Sequence, residues 1–125
     1  MDKKYGIGVA VGVVVLIGGL IWWGLQEDRT KEVLDQTVTT YFYGETCPHC
    51  RDVRKFLDEN AIEEKFSFVK REVWSDQTNA RLMREAANIC ALKPEGIAVP
   101  FVFSGGQCLV GTPKVIEFFK QKAGI

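Results

Sequence analysis

Two cysteines separated by two residues, Cys47-Pro48-His49-Cys50, are the part of this 125-residue chain best suited to chemistry. A Cys-x-x-Cys pair can cycle between dithiol and disulfide, and its spacing has a physical reason. On the first turn of a helix, residues three apart face the same side, which brings the two sulfurs within bonding reach. Pro48 marks such a first turn, because its missing N–H would find no partner there. Cys47 then stands at the helix N-terminus, where unpaired N–H groups and the helix dipole favour an anion. The thiolate is the nucleophile of disulfide exchange. His49, protonated or donating a hydrogen bond, favours it further, and stabilising the reduced thiolate makes the disulfide more oxidising. Cys50, deeper in the helix, is the expected resolving thiol. Zinc uses the same residue types, but a structural zinc usually shows a second close pair, and Cys90 and Cys108 are eighteen apart. Neither a metal nor a cofactor is expected.

The elements around this motif read clearly. Thr37 to Tyr43 is β-branched and aromatic and predicts a strand. Gly44-Glu45-Thr46 turns the chain into a helix from Pro48 to about Asn60, with Val53, Phe56 and Leu57 on one face. Phe66 to Val73 predicts a second strand. Ser75 or Asp76 caps a helix carrying Leu82, Met83, Ala86 and Ala87 to about Ala91. Pro94 and Gly96 break the chain. Val99 to Phe103 and Cys108 to Val110 predict two strands joined by the hairpin loop Ser104-Gly105-Gly106-Gln107. Thr112 is the expected cap of a last helix, with Pro113 at its first position and an end near Gly124. The order is β-α-β-α-β-β-α, an α/β domain over residues 37–125 with a mixed sheet: a parallel β-α-β start and an antiparallel hairpin edge.

Ahead of it, Gly6 to Leu25 is twenty residues without a charge. As a helix it spans about 30 Å, the thickness of a bilayer's hydrocarbon core. Trp22 and Trp23 lie near its end, where indole rings favour the interface. A cleaved signal peptide would want a shorter apolar region and a small-x-small cleavage site, and the exit here is Trp-Trp-Gly-Leu-Gln-Glu-Asp. Residues 1–25 are therefore expected to be a tail and transmembrane anchor, with residues 6–25 in the lipid bilayer. Lys3 and Lys4 before the span, and Glu27, Asp28 and Glu32 against Arg29 and Lys31 after it, put the N-terminus in the cytoplasm and the rest outside. Residues 26–36 read as a charged, helix-compatible linker in which Glu27 and Lys31 are spaced for an i,i+4 pair. Sixteen basic and sixteen acidic residues balance, which argues against a nucleic-acid partner. Nothing demands more than a monomer.

With these elements in place, the chain resembles the thioredoxin superfamily from Thr37 to Ile125. Its element order, without an extra N-terminal strand, is similar to glutaredoxin. Tyr41-Phe42-Tyr43 through Cys50 looks like the family's active-site strand and helix, and Ala98-Val99-Pro100 matches the position of its cis-proline. The resemblance implies a cis Val99–Pro100 bond opposite the dithiol and pairing of the Val99 backbone with substrate peptide. The Cys-Pro-His-Cys tetrapeptide, with Val before the proline, looks like the DsbA-type thiol oxidases. The chain departs from glutaredoxins in carrying Glu45 and Thr46 where a basic residue is usual; a carboxylate at Glu45 would repel glutathione's own. Where thioredoxins bury an acid, this chain has Tyr41, so proton transfer from Cys50 is expected to take another route.

In such a fold Cys90 ends a helix and Cys108 starts a strand near one end of the sheet, and a structural disulfide between them is expected, with two buried free thiols as the alternative. The sequence thus points to a membrane-anchored thiol–disulfide oxidoreductase outside the cytoplasm, acting on cysteines of exported or membrane proteins, with a membrane redox partner to recycle it. Cys47 attacks or is attacked, and Cys50 resolves the mixed disulfide. The oxidase direction is favoured. The alternatives are an extracytoplasmic disulfide reductase of the same fold and a tethered, non-enzymatic binding module.

Overall fold

The computed structural model describes residues 3–26 and 32–125. The chain divides into two compact units, with the division at Glu32 and Val33. In the first, helix α1 (Lys3–Gln26) is one continuous helix. Every side chain from Gly6 to Trp23 is exposed, and apolar residues cover it all round rather than forming one stripe. It is long and apolar enough to cross a membrane, a property an N-terminal signal sequence shares. The expected Glu27–Lys31 pair and the flanking charges from 27 to 31 lie outside the described residues.

The second unit runs β1 (Thr40–Tyr43), α2 (Pro48–Glu59), α3 (Ile62–Lys65), β2 (Val69–Glu72), α4 (Gln77–Ile89), β3 (Phe101–Ser104), β4 (Gln107–Val110) and α5 (Thr112–Ala123), with a 3-10 turn at Pro94–Gly96. The four strands form one sheet in the order β2-β1-β3-β4. β1 pairs parallel with β2 and antiparallel with β3, and β3 with β4 antiparallel, a mixed thioredoxin-like sheet. Strand alternation divides the core. Tyr41 and Val102 point to one face, where Val53, Leu57, Ile62, Val115 and Phe119 meet them. Phe42, Phe101 and Phe103 point to the other, against Leu82, Ala86 and Ala87 of α4. Buried side chains of this size contribute roughly 1.5–3 kcal/mol each, so both faces are needed to hold so short a sheet.

Several boundaries differ from the sequence expectation, each for a local reason. β1 starts at Thr40 rather than Thr37, and residues 32–36 are not helical. The Asp35 carboxylate accepts from the Thr37 amide at 2.8 Å and from its hydroxyl at 2.6 Å, a side-chain turn that competes with both regular structures. β2 starts at Val69 because the unexpected helix α3 occupies Ile62–Lys65, after Ala61 takes the left-handed conformation at φ 49°. Asp76, not Ser75, caps α4, accepting from the Asn79 amide at 3.0 Å. Gly111, not Thr112, caps α5: its φ of 97° and ψ of 152° suit only glycine, and its amide donates to the Pro100 carbonyl at 3.0 Å. The hairpin turns at Gly105 and Gly106, both at positive φ, the two-residue geometry that matches strand twist.

Candidate active site

The site is built where β1 hands over to α2. After Tyr43 the chain tightens, and the Cys47 amide donates to the Gly44 carbonyl at 3.2 Å. Cys47, in extended backbone conformation at φ −72° and ψ 120°, is the N-cap of α2, and Pro48 lies in its first turn. The Cys47 sulfur accepts from the Cys50 amide at 3.2 Å, so one of the helix's unpaired donors points at it. Both cysteines are free thiols and nearly enclosed, Cys47 4% and Cys50 5% exposed. Pro48 and His49 face solvent, and the His49 backbone carbonyl accepts from the Thr112 hydroxyl at 3.4 Å. Across from the pair, the Val99–Pro100 bond is cis, and the Val99 carbonyl oxygen lies 3.9 Å from the Cys47 sulfur. The structure thus brings Cys47, Cys50, Val99 and Pro100 to one place, with His49 on the rim.

The two cysteines differ in surroundings. Burial pushes the Cys50 thiol up to about 12, aided by its hydrogen bonding with Cys47 and opposed by the Gly44 amide and the Tyr41 hydroxyl. Beneath it, Tyr41 is buried, stacks on Tyr43 and meets Phe119 edge-on. Burial, with Cys50 next, holds its phenol above the ordinary tyrosine range, so it stays protonated. Tyr41 and Cys50 share the wall of an open cavity of about 530 Å³.

Two supporting residues, Glu72 and Trp74, carry no distinctive signal in the sequence. The Glu72 carboxylate accepts from the Glu45 amide at 3.3 Å, the Trp74 amide at 2.7 Å, the Ser75 amide at 2.9 Å and the Ser75 hydroxyl. It therefore ties the loop before Cys47 to the loop after β2. These donors, the Ser75 hydroxyl first, hold its carboxyl down to about 2. On the same loop the Trp74 ring lies over Gly44 so closely that a Cβ there would come 2.4 Å from its Cε2. The only sequence trace of this clasp is a carboxylate three residues before a serine, too common a pattern to stand out.

Away from the dithiol, Cys90, the C-cap of α4, is joined to Cys108 of β4 by a disulfide with an S–S distance of 2.06 Å and a Cα–Cα distance of 6.1 Å. Both half-cystines pack against the Phe42–Phe101–Phe103 cluster.

A Cys-x-x-Cys at a helix start, facing a cis-proline on a β2-β1-β3-β4 sheet, defines a dithiol protein of the thioredoxin-like class. The glutaredoxin family's sequence pattern matches residues 37–109, and the chain belongs to the glutaredoxin family. That family has a thiol–disulfide oxidoreductase fold and acts on protein thiols and disulfides. Among solved structures, the chain is similar to a buckwheat glutaredoxin in complex with glutathione, at 19% identity and TM-score 0.48 over 77% of this chain and 78% of that one. It is also similar to holo glutaredoxin C1 from Populus tremula x tremuloides, at 22% identity and TM-score 0.47 over 73% and 82%. A third is oxidised glutaredoxin 2 from Chlamydomonas reinhardtii, at 20% identity and TM-score 0.48 over 75% and 89%. A comparison with curated protein sequences returns no match.

Proposed function

We propose that this chain is a membrane-anchored thiol–disulfide oxidoreductase working outside the cytoplasm, in the oxidising direction. The observation that carries the reading is the Cys47 sulfur, held at the start of α2 by the Cys50 amide and facing the Val99 carbonyl across the cis-proline loop. A substrate thiolate attacks Cys47 of the Cys47–Cys50 disulfide, and Cys50 leaves as a thiolate that takes up a proton. A second substrate thiolate attacks the mixed disulfide, the substrate departs oxidised, and Cys47 is released reduced. Substrate peptide lies along the Val99 backbone and orients its sulfur for this transfer. An N–H donated to the Cys47 sulfur is strongest when that sulfur is anionic, and favouring the reduced thiolate raises oxidising power. His49, at the rim, adds positive charge when protonated.

Placement outside the cytoplasm is supported by two features. Helix α1 carries an apolar stretch with the length and all-round apolar surface of a membrane span, Gly6–Trp23, with Lys3 and Lys4 ahead of that stretch. The Cys90–Cys108 disulfide is of a kind that persists in oxidising compartments. Residues 1–25 then act as tail and anchor, and 37–125 as the redox domain, recharged by a membrane partner.

The test is the reduction potential of Cys47–Cys50 in the full chain in detergent, equilibrated against glutathione and read by alkylation mass shift. A value near about −120 mV is expected; one near about −270 mV would overturn the direction and make the protein a reductant. Absence of any reversible Cys47–Cys50 disulfide would remove the enzymatic reading altogether.

A further inference from the structure

Among the described residues, the Tyr41 hydroxyl is the one buried side-chain oxygen or nitrogen that meets no partner at full hydrogen-bond geometry, and the group it lies beside is the Cys50 thiol. An orphaned buried hydroxyl costs roughly 1–3 kcal/mol, so its place in the molecule needs a reason. It is fixed there by the strand: Tyr41 points to the α2 face, its ring is clamped by Tyr43 and Phe119, and it shares the cavity wall with Cys50. Phenylalanine would fill the same space without the penalty. We propose that Tyr41 donates a hydrogen bond to the Cys50 sulfur when that sulfur carries negative charge, and so lowers the barrier to the step in which Cys50 forms or leaves the disulfide.

The inference rests on reading Cys47–Cys50 as the redox pair. In the resolving direction, Cys50 loses its proton and its sulfur attacks Cys47 of the mixed disulfide. The Cys47–Cys50 bond forms, the bond from Cys47 to the substrate sulfur breaks, and the departing thiolate takes up one proton. Charge therefore builds on a sulfur whose residue is only 5% exposed. The Cys50 amide is already committed to the Cys47 sulfur, which leaves the Gly44 amide and the Tyr41 hydroxyl as the donors acting on Cys50. Tyr41 is a donor and not a base, because its phenol keeps its proton throughout.

Besides Tyr43, Leu57 and Ser75, the groups that face this cavity are charged: Arg51, Arg54 and Asp58 on α2, Glu63 on α3, and Lys70 and Glu72 on β2. Glu45 lies on the loop before Cys47. Lys70 is paired with Glu63, the Glu72 carboxylate is filled by loop donors that include the Ser75 hydroxyl, and Tyr43 is only partly buried, whereas the Tyr41 hydroxyl is a neutral donor built into the core beside Cys50.

The test reads Cys50 directly, whether or not the dithiol turns over. In the full chain in detergent, with Cys47→Ser, Cys50 is alkylated by iodoacetamide at neutral pH, where the rate follows its thiolate fraction. Adding Tyr41→Phe is expected to slow alkylation about threefold to tenfold, the thiolate loss being partly offset by greater intrinsic nucleophilicity. An unchanged rate overturns the proposal. A purely structural role is separated by placing 3-fluorotyrosine and 3,5-difluorotyrosine at position 41. Their stronger donor hydroxyls should raise the rate in that order, and a flat series overturns the proposal even where Tyr41→Phe does not fold.

Discussion

The domain contains two cysteine pairs on opposite sides of one sheet, and they are built for opposite ends. Cys47 and Cys50 are three residues apart, at the start of a helix, with an amide on one sulfur and an orphaned hydroxyl near the other. Cys90 and Cys108 are eighteen apart, joined, and set between a helix end and a strand against an aromatic cluster. Closing so small a ring constrains the unfolded chain less than closing a long loop, and the donors around this pair act on the charge of a sulfur. The second closes a long loop, and everything around it is packing. Loop length and local polarity, more than the sulfur chemistry, separate a reactive pair from a staple.

The comparison is broken most sharply by treating both pairs alike. Cys47→Ser should bring disulfide exchange with a model protein thiol to the uncatalysed background, with the urea midpoint almost unchanged. Cys90→Ser with Cys108→Ser should do the reverse: exchange per folded molecule is kept, while stability falls by about 3 kcal/mol in urea unfolding. Equal losses of exchange from both changes would mean that the second pair takes part in the exchange. Next in size is Gly44→Ala. Its Cβ must push aside the Trp74 ring, costing about 1–3 kcal/mol and shifting Trp74 emission in a background where Trp22 and Trp23 are replaced by Phe.

Tyr41→Phe sharpens the contrast from the other direction. Because it removes an unpartnered hydroxyl and keeps the ring, thermal stability should hold or rise by about 1 kcal/mol, even as Cys50 becomes less reactive. A clear loss of stability would show the hydroxyl to be a packing group, like the cystine on the far face. The smallest effect concerns Glu72. Its folded value, near 2, lies below its unfolded one, so its stabilisation is present above about pH 4.5 and is lost as pH falls toward 2. The unfolding midpoint of wild type should therefore drop more steeply over that window than that of Glu72→Gln, measured by circular dichroism.

What the sequence made legible is what depends on neighbours in the chain. The Cys-x-x-Cys helix start, the Gly105-Gly106 hairpin and the β-α-β-α-β-β-α order all follow from local spacing, and the structure adds α3 and the 3-10 turn at Pro94–Gly96 to that order. What it hid depends on contacts across the chain or on one side chain's competition with the backbone. Asp35 folds back on Thr37 and delays β1. Glu72 reaches the Glu45 amide twenty-seven residues away, and Trp74 finds Gly44, and neither has a periodic signature. Thr112 is the residue whose type suits the cap of α5, because threonine is a good cap. Gly111 takes that place because the backbone between Pro100 and α5 needs a conformation closed to threonine. Tyr41 was visible as a departure from a family pattern, but its unpartnered hydroxyl beside Cys50 is a fact of three dimensions.

One consequence of strand β1 concerns how such a gene can change. Tyr41 and Phe42 are adjacent, yet one serves the dithiol face and the other the cystine face. Deleting or inserting one residue between Thr40 and Tyr43 would exchange the two faces, placing an inert ring under Cys50 and a phenol in the aromatic cluster. Length variation among descendants of this sequence should therefore fall outside β1, in segments such as the one around Pro94–Gly96, while substitutions within the strand stay open to selection.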